Sequence, residues 1–287
     1  MILVTGATGH LGSATIAQLV QNVPAAEVAV LVRDLQKAER LQAQGVDIRV
    51  GSFDDPATLD NAMTSIEKVF LISTGDMNRF AQHKNVIDAA KKAGVKHIVY
   101  TSVTLKDLET SAIKSLMESH FQTEDYIKDS GLSYTFLRNN LYADVIPNFV
   151  GDKVFEQGIF LPAGNGKVPF ALRREMGEAA ANVLTQPGHE NKTYVITGSE
   201  LYSYNDVAKV LSDLSGKKVT YTDVEAAAFN EQLKQHGLPD FVIFLVGGFS
   251  ADIKNHQLET LSKDMETLLG RKPASLQDSL KELYNLG

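Results

Sequence analysis

Three glycines stand at positions 6, 9 and 12 of the opening stretch MILVTGATGHLGSA, between an apolar run of strand length and a helix-like segment. A strand that feeds a helix through glycines aims the first free N–H groups of that helix at one point. With the helix dipole they make an anion site of about half a unit charge. Gly6 permits the sharp turn, Gly9 lets a pyrophosphate approach the backbone, and Gly12 lets the helix pack close to the strand. Thr8, His10 and Leu11 lie between the glycines and add backbone and side-chain contacts. The same spacing also fits a tight turn that holds nothing, so the surroundings decide.

Arg33 ends the second apolar run, in LVRD. An acid at that point would take the adenosine ribose hydroxyls of NAD, whereas an arginine pairs with a 2′-phosphate. NADP(H) is therefore expected over NAD(H), although Asp34 places an acid one position on. Phe53 and Asp54 in GSFDD offer an aromatic face and an acceptor beside an adenine, or else form a turn and cap before Pro56. Ile72, Ser73 and Thr74 close the fourth run, where a strand end lies beside the cofactor ribose.

Candidates for the reacting end follow later. His120 titrates near working pH and suits a proton donor, or is a surface histidine with Glu124 one turn on. Asn139, Asn140 and Tyr142 follow the sixth apolar run, where amides can hold a carboxamide or an acceptor, or satisfy their own loop. Lys167 in AGNGK can reach cofactor phosphates from the second half, or is solvated. Phe149, Phe155, Phe170, Phe241 and Phe244 either line a slot for a planar substrate or fill a core. His83 and His97 are not spaced with a carboxylate as metal ligands, and no metal is expected.

The elements that must position these groups alternate. Strands are expected at Ile2–Thr5, Glu27–Val32, Asp47–Gly51, Lys68–Ser73, His97–Ser102 and Ser133–Arg138. Helical patterns fill the gaps at Gly12–Asn22, Leu35–Ala43, Pro56–Met63, Gln82–Ala93 and Glu118–Asp129. Strands apolar throughout, separated by helices, predict a parallel sheet covered on both faces, and right-handed crossovers make it a doubly wound Rossmann fold. After Tyr142 the rhythm changes. PAGNGK (162–167) reads as a loop or hairpin, followed by a helix at Glu175–Thr185 and strands at Lys192–Thr197 and Val219–Thr222. Ser203, Asp206 and Gly216 cap a short helix, and breaks are expected at 237–239, 247–248 and 270–273. Residues 1–142 are thus expected to form the dinucleotide-binding domain, with later returns to its sheet possible, and 143–287 a smaller C-terminal α/β lobe for substrate.

Composition narrows the function. The 287 residues include no cysteine, which excludes disulfides, thiolate nucleophiles and zinc–thiolate sites. A net charge of −7 without a basic block argues against nucleic-acid binding. The apolar stretch 241–249 is too short to cross a bilayer, so no membrane role is expected. Met1 leads straight into a strand-length run with no leader pattern, and the expected location is cytoplasmic.

TGATGHLG, Arg33, LISTG, AAKKAGVKHIVYTS (89–102) and YTFLRNNLY (134–142) together resemble the NmrA-like atypical short-chain dehydrogenases. AGNGKVPFALR (163–173), GHENKTYVITG (188–198) and LSGKKVTY (214–221) extend the likeness nearly end to end. They point to the branch of type 2 NAD(P)H:quinone oxidoreductases and triphenylmethane reductases. The resemblance implies NADPH binding through Gly6–Gly12, Arg33, residues 72–75 and residues 137–142, which adds Leu137 and Arg138. It also implies hydride transfer to a quinone-like or electrophilic aromatic acceptor, by a monomer or homodimer. One departure bears on mechanism. Conventional members carry Tyr-x-x-x-Lys, but here Leu116 and His120 fall at those positions and Val103, between Ser102 and Thr104, falls near the usual serine. Alcohol–ketone chemistry lacks its proton relay, whereas quinone reduction needs mainly orientation. The alternative function is a non-catalytic NADP-sensing regulator that binds a protein partner.

Overall fold

The computed structural model describes residues 1–286; Gly287, the last residue of the expected second lobe, lies outside them. In the first half, β1 (Ile2–Val4), β2 (Val28–Val32), β3 (Asp47–Val50), β4 (Lys68–Leu71), β5 (His97–Val103) and β6 (Ser133–Asn139) alternate with helices. These are α1 (His10–Asn22), α2 (Glu39–Ala43), α3 (Pro56–Ala62), α4 (Arg79–Lys92) and α5 (Lys114–Ser130). The second half runs α6 (Ile146–Val150), α7 (Val154–Gln157), β7 (Ile159–Leu161), α8 (Arg173–Thr185), β8 (Lys192–Ile196), α9 (Tyr204–Ser215) and β9 (Tyr221–Asp223). It ends with α10 (Ala226–Gln235), α11 (Asp240–Lys254), α12 (Asp264–Leu269) and α13 (Leu276–Leu283).

Every side chain of β1 and β2 is buried, as a strand covered on both faces requires. The seven-stranded sheet has the order β3-β2-β1-β4-β5-β6-β8, with all neighbours parallel. This is the expected doubly wound α/β fold. The strand order reverses between β1 and β4, and the crevice above that point is where such sheets bind ligands. Leu11, Ile16 and Leu19 of α1 and Ala180, Val183 and Leu184 of α8 fill one face. Leu59 of α3, Val86 and Ile87 of α4 and Ile127 of α5 fill the other.

The chain returns to this sheet after Tyr142. β8 pairs with β6, and α8 packs so tightly on α1 that a Cβ on Gly177 would stand 2.8 Å from that of Ala14. A separate core, including Leu161, Tyr204, Leu211, Phe229 and Ile253, holds the smaller lobe, where β7 and β9 pair in parallel. Ser203 and Asp206 cap α9 reciprocally, and Gly216 ends it with φ +69°.

Three local expectations need correction. α11 runs unbroken through Gly247 and Gly248: an added Cβ would stand 2.7 Å from Asn230 Oδ1 at the first and 2.1 Å from Ile113 Cγ2 at the second. These glycines admit neighbours and do not stop the helix. The late strand starts at Tyr221 because Ser212 Oγ takes the Val219 N–H at 2.8 Å and donates to its carbonyl at 3.1 Å. Leu35–Ala38 is a 3-10 turn before α2. Among the described residues no helix is long and apolar enough to cross a membrane.

Candidate active site

A cleft of about 580 Å³ opens over the ends of β1–β4. Its walls include Gly6, Thr8 and Gly9 from the first loop, Arg33, Phe53 and Asp54 from the ends of β2 and β3, and Ile72–Asp76 from the end of β4. Gly6 has φ +59°, and its N–H-bearing neighbour Gly9 bonds back to its carbonyl at 3.0 Å. That turn leaves α1 with a glycine N-cap, no capping side chain and no acid in its first turn. The leading amides of α1 are free to take an anion. Gly12 is packed, not exposed: a Cβ there would stand 2.3 Å from the Gly6 carbonyl oxygen.

Arg33 and Asp34 divide the work at the end of β2. The Asp34 carboxylate accepts the Gln36 N–H at 3.0 Å and caps the 3-10 turn, while Arg33 is exposed on the cleft. The donor set therefore fits a phosphorylated ribose: a free guanidinium, with the adjacent acid already engaged. On the β3 side Asp54 is held by Gln82 Nε2 at 3.1 Å, and Gln82 Oε1 receives the Thr74 hydroxyl at 3.0 Å. Thr101 Oγ1 accepts the Ser73 N–H at 2.8 Å and donates to Ser73 Oγ at 3.2 Å, which ties the end of β4 to β5. Gln82, which is not among the expected site residues, organises this wall, and its only signal in the sequence is a glutamine in the first helical turn after LISTG.

Beyond β4 the buried polar groups cluster. The Tyr100 hydroxyl lies 2.9 Å from His120 Nδ1, and Thr123 Oγ1 lies 3.1 Å from His83 Nδ1. Burial, then the charge of Arg79, holds His120 well below the ordinary histidine range, with the Thr101 carbonyl pulling the other way. Burial followed by Arg79 lowers His83 to about 3. The His120 ring is thus a neutral interior group and not a surface histidine.

Other side chains are committed elsewhere. Arg138 Nε and Nη2 donate to Glu124 Oε1 and Oε2 at 2.9 and 2.6 Å, on the helix side of β6. Leu137 is in the core beneath α1 and α8. Asn140 Nδ2 donates to the Leu258 carbonyl at 2.9 Å and its Oδ1 takes the Leu141 N–H, so it fastens the strand end to the lobe. Lys167 is exposed, and its N–H bonds Glu259. The side chain of Leu11 is buried in the core, and those of His10 and Leu11 do not line the cleft. Asn139 and Tyr142 do meet: Asn139 Nδ2 donates to the Tyr142 hydroxyl at 3.5 Å, and the Arg173 guanidinium lies over the Tyr142 ring at 4.3 Å. Phe170 is buried against Tyr204, Phe155 is half-buried against Tyr284, and Phe241 is exposed. Among the described residues no cluster of three or more His, Asp or Glu stands together as a metal site.

The chain that carries this cleft at the turning point of a seven-stranded parallel sheet matches a known family. The family model of NmrA-like proteins fits residues 1–256. The chain belongs to the NmrA-like family. Among curated relatives, quinone oxidoreductase 2 of Escherichia coli is 38% identical over the whole chain and 99% of its own length. The crystal structure of the E. coli NADPH-dependent quinone oxidoreductase complexed with NADPH superposes with a TM-score of 0.93, at 37% identity, covering 99% of this chain and 100% of that one. The triphenylmethane reductase of a Citrobacter species gives 0.92 at 36% identity, covering 99% of each chain.

Proposed function

We propose that this NmrA-like chain is an NADPH-dependent oxidoreductase that passes a hydride to a quinone or related electrophilic aromatic acceptor. The observation that carries the reading is the division between Arg33, free on the cleft, and Asp34, consumed as a cap. The likeness to a quinone oxidoreductase described with NADPH supports the same assignment.

In this reading the leading amides of α1, together with Thr8 and Gly9, hold the pyrophosphate. Arg33 takes the 2′-phosphate, Phe53 and Asp54 border the adenine, and Ile72, Ser73 and Thr74 border the ribose. When bound, NADPH supplies the hydride. The chain then has to align a flat acceptor and exclude competing geometry, a role we assign to Asn139 and Tyr142, which meet at the end of β6. His120, neutral and engaged with Tyr100, is not placed to donate a proton, which comes from solvent. We place this activity in the cytoplasm, in a monomer or homodimer.

Steady-state oxidation of NADPH, followed by absorbance with neutral quinones as acceptors, tests the proposal. Turnover with NADPH, and weaker turnover with NADH, is the expected result. Tight NADPH binding without turnover on any acceptor overturns it in favour of a cofactor-sensing regulator.

A further inference from the structure

Arg79, the first residue of α4, is only 4% exposed, and its side-chain partners are two carbonyls and a hydroxyl. Nε donates to the Thr74 carbonyl at 2.5 Å, and Nη1 donates to the Leu116 carbonyl and to Ser119 Oγ at 3.2 and 3.3 Å. No carboxylate is among them. Asp76, the nearest acid in sequence, spends its own carboxylate on the Asn78 N–H and the Gln82 amide. A buried cation without an anionic partner is costly, and such groups concentrate where a charge is put to use.

Its position gives that use. The adenosine end of the cleft is marked by Arg33, Phe53 and Asp54 on β2 and β3, and the anion-binding amides stand on β1. An extended dinucleotide laid along this edge would bring its nicotinamide toward β4 and β5. Arg79 bonds Thr74, which lines that end of the cleft, to the first turns of α5. Tyr100 and Tyr142 stand near enough to feel its charge, and so do the rings of His83 and His120. Both histidines are held neutral, so they neither add to that charge nor cancel it.

We propose that Arg79 sets the charge preference of the acceptor site, favouring acceptors that are anionic or become so and disfavouring cations. The proposal rests on the oxidoreductase reading above. A neutral quinone that accepts a hydride, two electrons and one proton, from the dihydronicotinamide carries one negative charge until it takes a second proton from water. A triarylmethyl cation that accepts the same hydride enters positively charged and leaves neutral. A fixed buried cation attracts the first product and repels the second substrate, and bulk salt screens it little.

The test compares a sulfonated naphthoquinone, a neutral quinone and a triarylmethyl dye with the wild type, Arg79→Met, Arg79→Gln and Arg79→Lys. kcat/KM is measured for each. Dissociation constants for the anionic and cationic acceptors are also measured with NADP+ present, where no turnover occurs. Neutralising Arg79 is expected to shift the anion-to-cation ratio of both quantities by about tenfold toward the cation. Arg79→Lys is expected to restore the ratio, including where its absolute rates stay low. Equal losses for all acceptors with an unchanged ratio overturn the proposal and leave Arg79 as a clamp between the β4 wall and α5. If Arg79→Met does not fold, the Gln and Lys variants decide by the same ratio. A wild type that turns over no acceptor refutes the oxidoreductase reading, and the binding ratios with NADP+ still judge Arg79 on their own.

Discussion

The Tyr100 hydroxyl and His120 Nδ1 stand 2.9 Å apart beneath the end of β5, with Tyr100 fully buried and His120 6% exposed. Burial raises Tyr100 above the ordinary phenol range and lowers His120, so both are neutral at working pH. The pair is a satisfied interior contact between strand and helix, not an acid waiting to titrate.

A kinetic consequence follows. Between about pH 6 and 8 the kcat profile is expected to lack a step at the ordinary histidine value, and His120→Gln should keep its shape. A wild-type inflection that disappears in His120→Gln would show the ring donating a proton. Tyr100→Phe strands His120 Nδ1 in the interior and should cost about 1–3 kcal/mol in urea unfolding.

His83, His97 and His120 are all held below their ordinary range, chiefly by burial, with His83 lowered to about 3. Unfolded, each titrates near about 6.5. Below that pH the unfolded chain binds protons that the native chain refuses. The stability these neutral rings provide is therefore whole above about pH 6.5 and is lost as pH falls toward the native values. The slope has a ceiling of about 1.4 kcal/mol per pH unit for a histidine that stays neutral in the native state while it is protonated in the unfolded one. Urea unfolding at about pH 7 and pH 5 should show the loss, and His83→Gln should flatten it. Equal slopes in the two proteins would remove His83 from the account.

Arg33→Ala is expected to weaken NADPH binding by about tenfold to a hundredfold while leaving NADH nearly unchanged, since only NADPH carries the 2′-phosphate. Asp34→Ala should leave that ratio alone and cost about 1 kcal/mol of stability, the worth of a lost cap. Titration calorimetry with both cofactors separates the two effects. An Asp34→Ala protein that gains or loses cofactor preference would contradict the division of labour between these neighbours.

The sheet was legible because parallel strands buried on both faces carry their own signature, as VAVLV of β2 does. The glycine loop and Arg33 were legible because a ligand at a strand end draws on a few consecutive residues. Pairings across the fold were not. Nothing local tells that Asn140 is consumed by the Leu258 carbonyl, 118 positions away, or that Arg138 turns to a buried carboxylate on α5. Arg79 lies ahead of the helix start expected at Gln82, and His83 stands out in sequence only as a lone histidine; both are buried because α5 packs over them. Gly247 and Gly248 read as a break because the neighbours they make room for, Asn230 and Ile113, come from other helices.

Arg138 is paired with Glu124 on α5. Glu124 is 2% exposed and receives two bonds from Arg138, whose guanidinium also lies over the Phe121 ring at 5.6 Å. Arg138→Met leaves the Glu124 carboxylate buried without its counter-charge, and breaking such a pair costs about 3 kcal/mol or more. A phosphate-binding Arg138 would instead show its loss in NADPH affinity at little cost in stability. The expected result is a lowered urea midpoint with the NADPH dissociation constant within about twofold of wild type. Adding Glu124→Gln should return part of the stability, because the orphaned charge goes with it. A double variant no more stable than Arg138→Met, or a large fall in NADPH affinity with stability intact, would place Arg138 back at the cofactor.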